Sequence, residues 1–164
     1  MKPIPTAYRG ITYRSRLEAR WQCFFDSLNL SAQYEPEGFV LDSGTCYLPD
    51  FWLPQVRMFA EVKPEYLTPG EQFKCEGLTA VTHSACLFLI GAPALQAYRA
   101  TTWDCGEITT ANYSLDIHMH AKQFQAGRLY CEPSYLVPAC PNQFSAQYLA
   151  AVNAARVERF GAAE

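Results

Sequence analysis

The sequence has no C-x-x-C pair among its seven cysteines, no P-loop, no G-x-G-x-x-G run, and no apolar stretch longer than Ala85 to Ala92. Each absence excludes a class. An odd number of cysteines without paired spacing argues against a disulfide framework. Without a glycine-rich phosphate cradle, nucleotide-driven chemistry has no foothold. A run that short falls well under the roughly 20 residues a helix needs to cross a bilayer. Met1-Lys2-Pro3-Ile4-Pro5 lacks an apolar h-region, so no signal peptide is expected. Charge is sparse at 18% against 49% apolar residues, which excludes a disordered, collagenous or coiled-coil chain. What is there, 164 residues, suits one domain with a real core. A cytoplasmic protein with no membrane association is the expectation.

Net charge is −3, so bulk electrostatics do not announce nucleic-acid binding. The distribution says more. Lys2, Arg9, Arg14, Arg16 and Arg20 oppose only Glu18 in the first twenty residues, so five of the 13 basic residues crowd there. They read either as a solvated arm and helix face or as a phosphate-binding cluster.

Ser15 to Leu30 is expected to be a helix, with Leu17, Trp21, Phe24 and Leu28 as its apolar stripe, and Ser15 and Glu18 as a capping box. Strands are expected over Gln33 to Leu41, Thr45 to Leu53 and Met58 to Lys63, with turns at Asp42-Ser43-Gly44 and between Pro54 and Arg57. Thr68-Pro69-Gly70 leads into a helix over Glu71 to Thr82, with Phe73, Leu78 and Val81 on its buried side. Ala85 to Ile90, wholly apolar, reads as a strand covered on both faces. The signal is weak over 93–141, with short strands near Ala97 and Arg128, and Gln143 to Phe160 reads as a closing helix. The class is α/β, a mixed central sheet flanked by helices.

The chemistry sits in Leu48-Pro49-Asp50-Phe51 and Ala60-Glu61-Val62-Lys63. In a hairpin centred between Gln55 and Val56, Asp50 and Glu61 are equidistant from the turn and face each other across the ladder. Opposed like charges repel, and a divalent cation reverses the sign. Lys63 projects from the face of Glu61, while Phe51 and Val62 line the other. Hard oxygen ligands suit Mg²⁺ or Mn²⁺, and a lysine beside such an ion can orient a water or offset charge on a phosphorane.

Pro49-Asp50 followed by Glu61-Val62-Lys63 resembles the PD-(D/E)XK motif of the restriction-endonuclease-like nuclease superfamily. The helix-strand-strand-strand-helix-strand order is also similar to that core, over roughly Tyr8 to Gly91. Arg14 to Trp21 is similar to phage resolvase-type endonucleases and to end-cleaving nuclease subunits of transposons. The resemblance implies a restriction-endonuclease-like core and a metal-dependent DNA endonuclease. Glu18, Asp50 and Glu61 would bind Mg²⁺ or Mn²⁺, and Lys63 would position water. Arg9, Arg14, Arg16 and Arg20 would meet DNA. It also implies a further Gln or Lys on the helix after the E-x-K strand, for which Gln72 and Lys74 are candidates. Cutting both strands would call for a homodimer or a partner protein. One alternative is a non-catalytic module of the same fold, binding DNA or a protein, such as a phage counter-defence protein. Another is a small structural protein.

Two constellations carry less. His118 and His120, with Cys105, Cys131 or Cys140, lack zinc-site spacing. Cys86, inside an apolar run, reads as a core filler.

Overall fold

The computed structural model describes residues 3–96, 98–104, 106–113 and 144–162. Ahead of the first helix lies a hairpin, β1 (Thr6–Tyr8) and β2 (Ile11–Tyr13), where the sequence suggested a simple basic arm. Its turn residues, Arg9 and Gly10, both have positive φ (48° and 81°), the sense that matches strand twist.

Helix α1 (Arg16–Ser27) starts at Ser15, whose side chain accepts the Glu18 N–H. It stops at Leu28, ahead of Asn29 at φ 55°. Its apolar side is wider than the expected stripe, because Ala19, Cys23 and Phe25 are buried along with Trp21 and Phe24. Trp21 donates its indole N–H to the Gly91 carbonyl at 2.9 Å, which ties the helix to the far end of a central strand.

The next two expected strands are each broken. Gln33 to Leu41 becomes β3 (Gln33–Tyr34) and β4 (Phe39–Val40). Between them Glu35 takes φ 45° and Pro36 offers no N–H, so a continuous ladder fails there. Thr45 to Leu53 becomes β5 (Cys46–Tyr47) and β6 (Phe51–Leu53), interrupted at Leu48-Pro49-Asp50. Strand β7 (Met58–Lys63) is as expected, and α2 (Pro69–Thr82) follows with a complete Thr68–Glu71 capping box. β8 (Ala85–Ile90) runs parallel to β7, and α2 is the crossover between them.

β9 (Tyr98–Asp104) and β10 (Glu107–Tyr113) form a hairpin far longer than the short strand expected near Ala97. Helix α3 (Ala146–Val157), capped by Ser145, is shorter than the expected span. β11 (Gly161–Ala162) pairs with β1. The expected strand near Arg128, and His118, His120, Cys105, Cys131 and Cys140, lie outside the described residues.

Together these make a six-stranded sheet of order β10-β9-β8-β7-β6-β3, parallel at β7–β8 and antiparallel elsewhere, so the fold is mixed α/β. Each sheet face is covered. Met58, Ala60, Val62, Ala85, Leu87 and Leu89 pack with α1 and α3, and Phe59, Cys86 and Phe88 pack with Cys75 and Leu78 of α2. Cys86 is the core filler its context suggested. No helix among the described residues is long and apolar enough to cross a membrane.

The buried side of α2 differs from the expected one. Leu78 is buried, but Phe73 is 60% and Val81 37% exposed. The sheet-facing stripe is Cys75, Leu78 and Thr79, with the Thr79 and Thr101 hydroxyls 2.7 Å apart. Small side chains let the helix sit close to the strands, and that choice turns Phe73 outward. Leu78→Ala should therefore cost about 2–5 kcal/mol, and Phe73→Ala less than about 0.5 kcal/mol, read as shifts in urea midpoint. Equal losses at the two positions would contradict this placement of the helix.

Candidate active site

β6 and β7 pair as Phe51↔Ala60, Trp52↔Phe59 and Leu53↔Met58. One step further, the same register sets Asp50 opposite Glu61, as the turn-centred spacing predicts. The turn closes with the Arg57 N–H on the Pro54 carbonyl and Arg57 at φ 52°. Side chains alternate, so Phe51, Ala60 and Val62 enter the α1 core while Glu61 and Lys63 face the α2 side. Asp50 is 4%, Glu61 5% and Glu18 8% exposed, too little for solvated surface charges.

A buried carboxylate is costly unless it is paired and hydrogen-bonded. All three are. Asp50 Oδ1 meets Arg14 Nη2 at 2.6 Å, and its Oδ2 accepts the Val62 N–H at 2.8 Å. Glu61 Oε1 pairs with Lys63 Nζ at 2.8 Å, and Tyr47 donates its hydroxyl to Oε2 at 2.5 Å. Glu18 Oε1 accepts from the Ser15 hydroxyl at 2.7 Å. Its Oε2 accepts from the Tyr34 hydroxyl at 2.5 Å and the Arg14 N–H at 3.2 Å. The capping box at α1 is thus half formed: Ser15 receives the Glu18 N–H, but the Glu18 carboxylate reaches Ser15 Oγ and the Arg14 N–H.

Arg14 is the hub. Besides Asp50, its Nε lies 2.8 Å from Glu35 Oε1 and 3.4 Å from the Tyr34 hydroxyl. Lys63 is held also by Glu71 at 3.5 Å. Burial, then the charges of Glu61 and Glu18, push the Asp50 carboxyl up to about 7, against the Val62 N–H and Lys63. Arg14 acts in the opposite sense. It reaches Asp50 from the solvent side, with its side chain 55% exposed, and offsets part of the rise. For Lys63, burial acts to lower the pKa, but the charge and hydrogen bond of Glu61, then Asp50 and Glu71, outweigh it and raise the value. Lys63 is therefore an ammonium. Burial first, then Cys86, Cys75 and Glu61, raise the Tyr47 hydroxyl far above its ordinary range, which keeps it a donor.

In kind, these hard oxygens fit Mg²⁺ or Mn²⁺. In arrangement, the positive charge at the site comes from Arg14 and Lys63. Among the described residues, no three His, Cys, Asp or Glu side chains stand grouped to hold a metal ion. Arg14 keeps Glu35 as a second partner, so it can leave Asp50 Oδ1 without losing every anion.

The other residues singled out in the sequence have no hydrogen bond or ion pair to Glu18, Asp50, Glu61 or Lys63 among the described residues. Arg9 pairs with Asp26 at 3.2 Å and lies over the Tyr8 ring. Arg20 donates to the carbonyls of Ala155 and Arg156 at the C-terminal end of α3, where a cation offsets the helix dipole. Arg16 is exposed and has no ion pair among the described residues. Gln72 bonds Glu76 at 2.8 Å, and Lys74 is exposed on α2. Three members of the network, Tyr34, Glu35 and Tyr47, escaped the sequence reading. Their signal was indirect: buried carboxylates demand donors, and Tyr34 and Tyr47 sit on the short strands beside Asp50.

No protein-family model matches the chain, and no curated protein matches it at a significant level. The geometry above therefore carries the functional reading.

The position of Asp50 fixes a pH dependence. Its folded value, about 7, lies above the unfolded 3.8, so the folded state keeps a proton that the unfolded chain has lost. Its stabilising contribution is complete below about pH 4 and is lost as pH rises through 7. Asn at this position does not titrate. In EDTA, the stability of Asp50→Asn relative to the native chain should rise by about 1–3 kcal/mol between pH 4 and 8, followed by denaturant midpoints. A difference flat across that range would contradict the assignment.

Proposed function

We propose that this chain is a metal-dependent DNA endonuclease that hydrolyses phosphodiester bonds. The observation that carries the proposal is the pair of buried carboxylates, Asp50 and Glu61, opposed across the β6–β7 ladder beside the Lys63 ammonium, with buried Glu18 linked to Asp50 through Arg14. Such a set is costly to bury, and apolar side chains would tie these elements together at lower cost. Glu18, Asp50 and Glu61 would hold Mg²⁺ or Mn²⁺. When bound, the ion activates water and polarises the scissile phosphate. Lys63, held protonated by Glu61, acts by orienting the attacking water and offsetting charge on the phosphorane rather than as a base. Tyr47 fixes the Glu61 carboxylate from the other side. Arg14 pairs with Asp50 and, with a cation bound there, would keep Glu35 and Tyr34 as partners. Arg16, exposed at the start of α1 and without an ion pair among the described residues, would meet the phosphate backbone.

The proposed substrate is DNA of a phage or mobile element, recognised by shape or through a partner protein. One such site cuts one strand, so a double-strand cut would require a homodimer or a second nuclease.

One observation favours a second reading. The Arg14–Asp50 pair at 2.6 Å, together with Lys63 on Glu61, already neutralises the carboxylates. A nuclease fold so neutralised is suited to binding DNA or a protein without cutting.

Cleavage separates the two readings. With Mn²⁺, the native chain should nick plasmid or branched DNA. Lys63→Ala should lower the rate about 10²–10³-fold, as loss of one preorganised charge does. Glu18→Gln should fold, since its Oε1 can still accept from Tyr34 and the Arg14 N–H and its amide can donate to Ser15 Oγ, and should recover part of its lost activity at higher Mn²⁺. A native chain that binds DNA but cuts none of these substrates would favour the second reading.

A further inference from the structure

Lys63 ends β7, and the chain that follows it builds one wall of a cavity of about 530 Å³, within the range of pockets that take small organic ligands. In register, Lys63 pairs with Ile90, which forms part of its lining. The cavity therefore adjoins the candidate catalytic centre, one strand over from Glu61 and Lys63. Phe88 and Ile90 give it an apolar floor, the Gln72 and Gln96 amides add donors and acceptors, and Tyr66 and Arg99 stand on its wall.

Two of these residues are unexplained by packing. Tyr66 is 84% exposed and has no ring or hydrogen-bond partner among the described residues. Arg99 is exposed and has no ion pair among them. A bare aromatic ring, an apolar floor, amides for base edges and a guanidinium outside any ion pair among the described residues are the chemistry that holds a nucleotide: the ring stacks on the base and the cation meets a phosphate. Glu65, also on the lining, disfavours phosphate at its own position and leaves the backbone to Arg99. A base inside a paired duplex cannot reach such a cavity, so the occupant must be unpaired.

We propose that this cavity receives one unpaired base next to the scissile phosphate, which makes the substrate class a DNA with a single-stranded or splayed segment. The identity of the polymer rests on the nuclease reading, but the occupant can be tested without cleavage. Fluorescence anisotropy in EDTA would compare a fully paired labelled duplex with the same duplex carrying a single-stranded flap. The native chain should bind the flap DNA about ten- to a hundredfold more tightly, the range expected for stacking one base. Tyr66→Ala should bring that ratio close to one while leaving duplex affinity within about twofold, and Tyr66→Phe should restore it. With its ring in solvent, Tyr66 can be replaced without unfolding the chain, which a melting curve checks. A native ratio near one, a ratio unchanged in Tyr66→Ala, or no DNA binding would overturn the proposal. Cleavage is scored separately in Mn²⁺. A Tyr66-dependent flap preference without cutting upholds the cavity and removes the nuclease reading. Cutting of plain duplex with a ratio near one removes the cavity and keeps the nuclease reading.

Discussion

Two carboxylates face each other across the β6–β7 ladder with almost no water around them, and groups from the start of α1, β3, β5 and α2 are arranged around that repulsion. Asp50 and Glu61 at 4% and 5% exposure would not coexist as free anions. Each is therefore given a cation and a neutral donor: Arg14 and the Val62 N–H for Asp50, Lys63 and the Tyr47 hydroxyl for Glu61. The cations come from opposite sides. Arg14 lies just before α1, and Lys63 ends β7, so neutralising the pair also ties the first helix to the sheet hairpin.

The short strands acquire a purpose in this light. β3 and β5 are two residues each, too brief to matter as ladder, yet they deliver Tyr34 and Tyr47 to the carboxylates. The break at Glu35, with positive φ, brings its carboxylate to Arg14 and its N–H to the Asp50 carbonyl. Regular strands over Gln33 to Leu41 and Thr45 to Leu53 would alternate these side chains differently. The irregular backbone is what gathers two tyrosines, a glutamate and an arginine at one point.

How far this was legible in the sequence follows from the range of each interaction. The opposition of Asp50 and Glu61 was readable because a tight hairpin fixes register by counting from its turn. The α1 start at Ser15 and the doubly covered β8 strand were readable because caps and apolar runs are local. The exposed Phe73 was not, since which side of α2 meets the sheet depends on how closely Cys75 and Thr79 let it approach. The fate of the basic cluster was also hidden. Arg14 turns inward to Asp50, 36 positions away, and Arg20 reaches the end of α3, 135 positions away, and no local pattern encodes either pairing.

In the proposed function Asp50 and Glu61 would hold a hard dication in the place that Arg14 now takes. Calorimetric titration with Mn²⁺ tests it most directly. The native chain should bind about one ion, Asp50→Asn should lose that binding, and Arg14→Gln should bind more tightly because its competing cation is gone. Equal Mn²⁺ affinity in the native chain and Asp50→Asn, or no binding in Arg14→Gln, would contradict it.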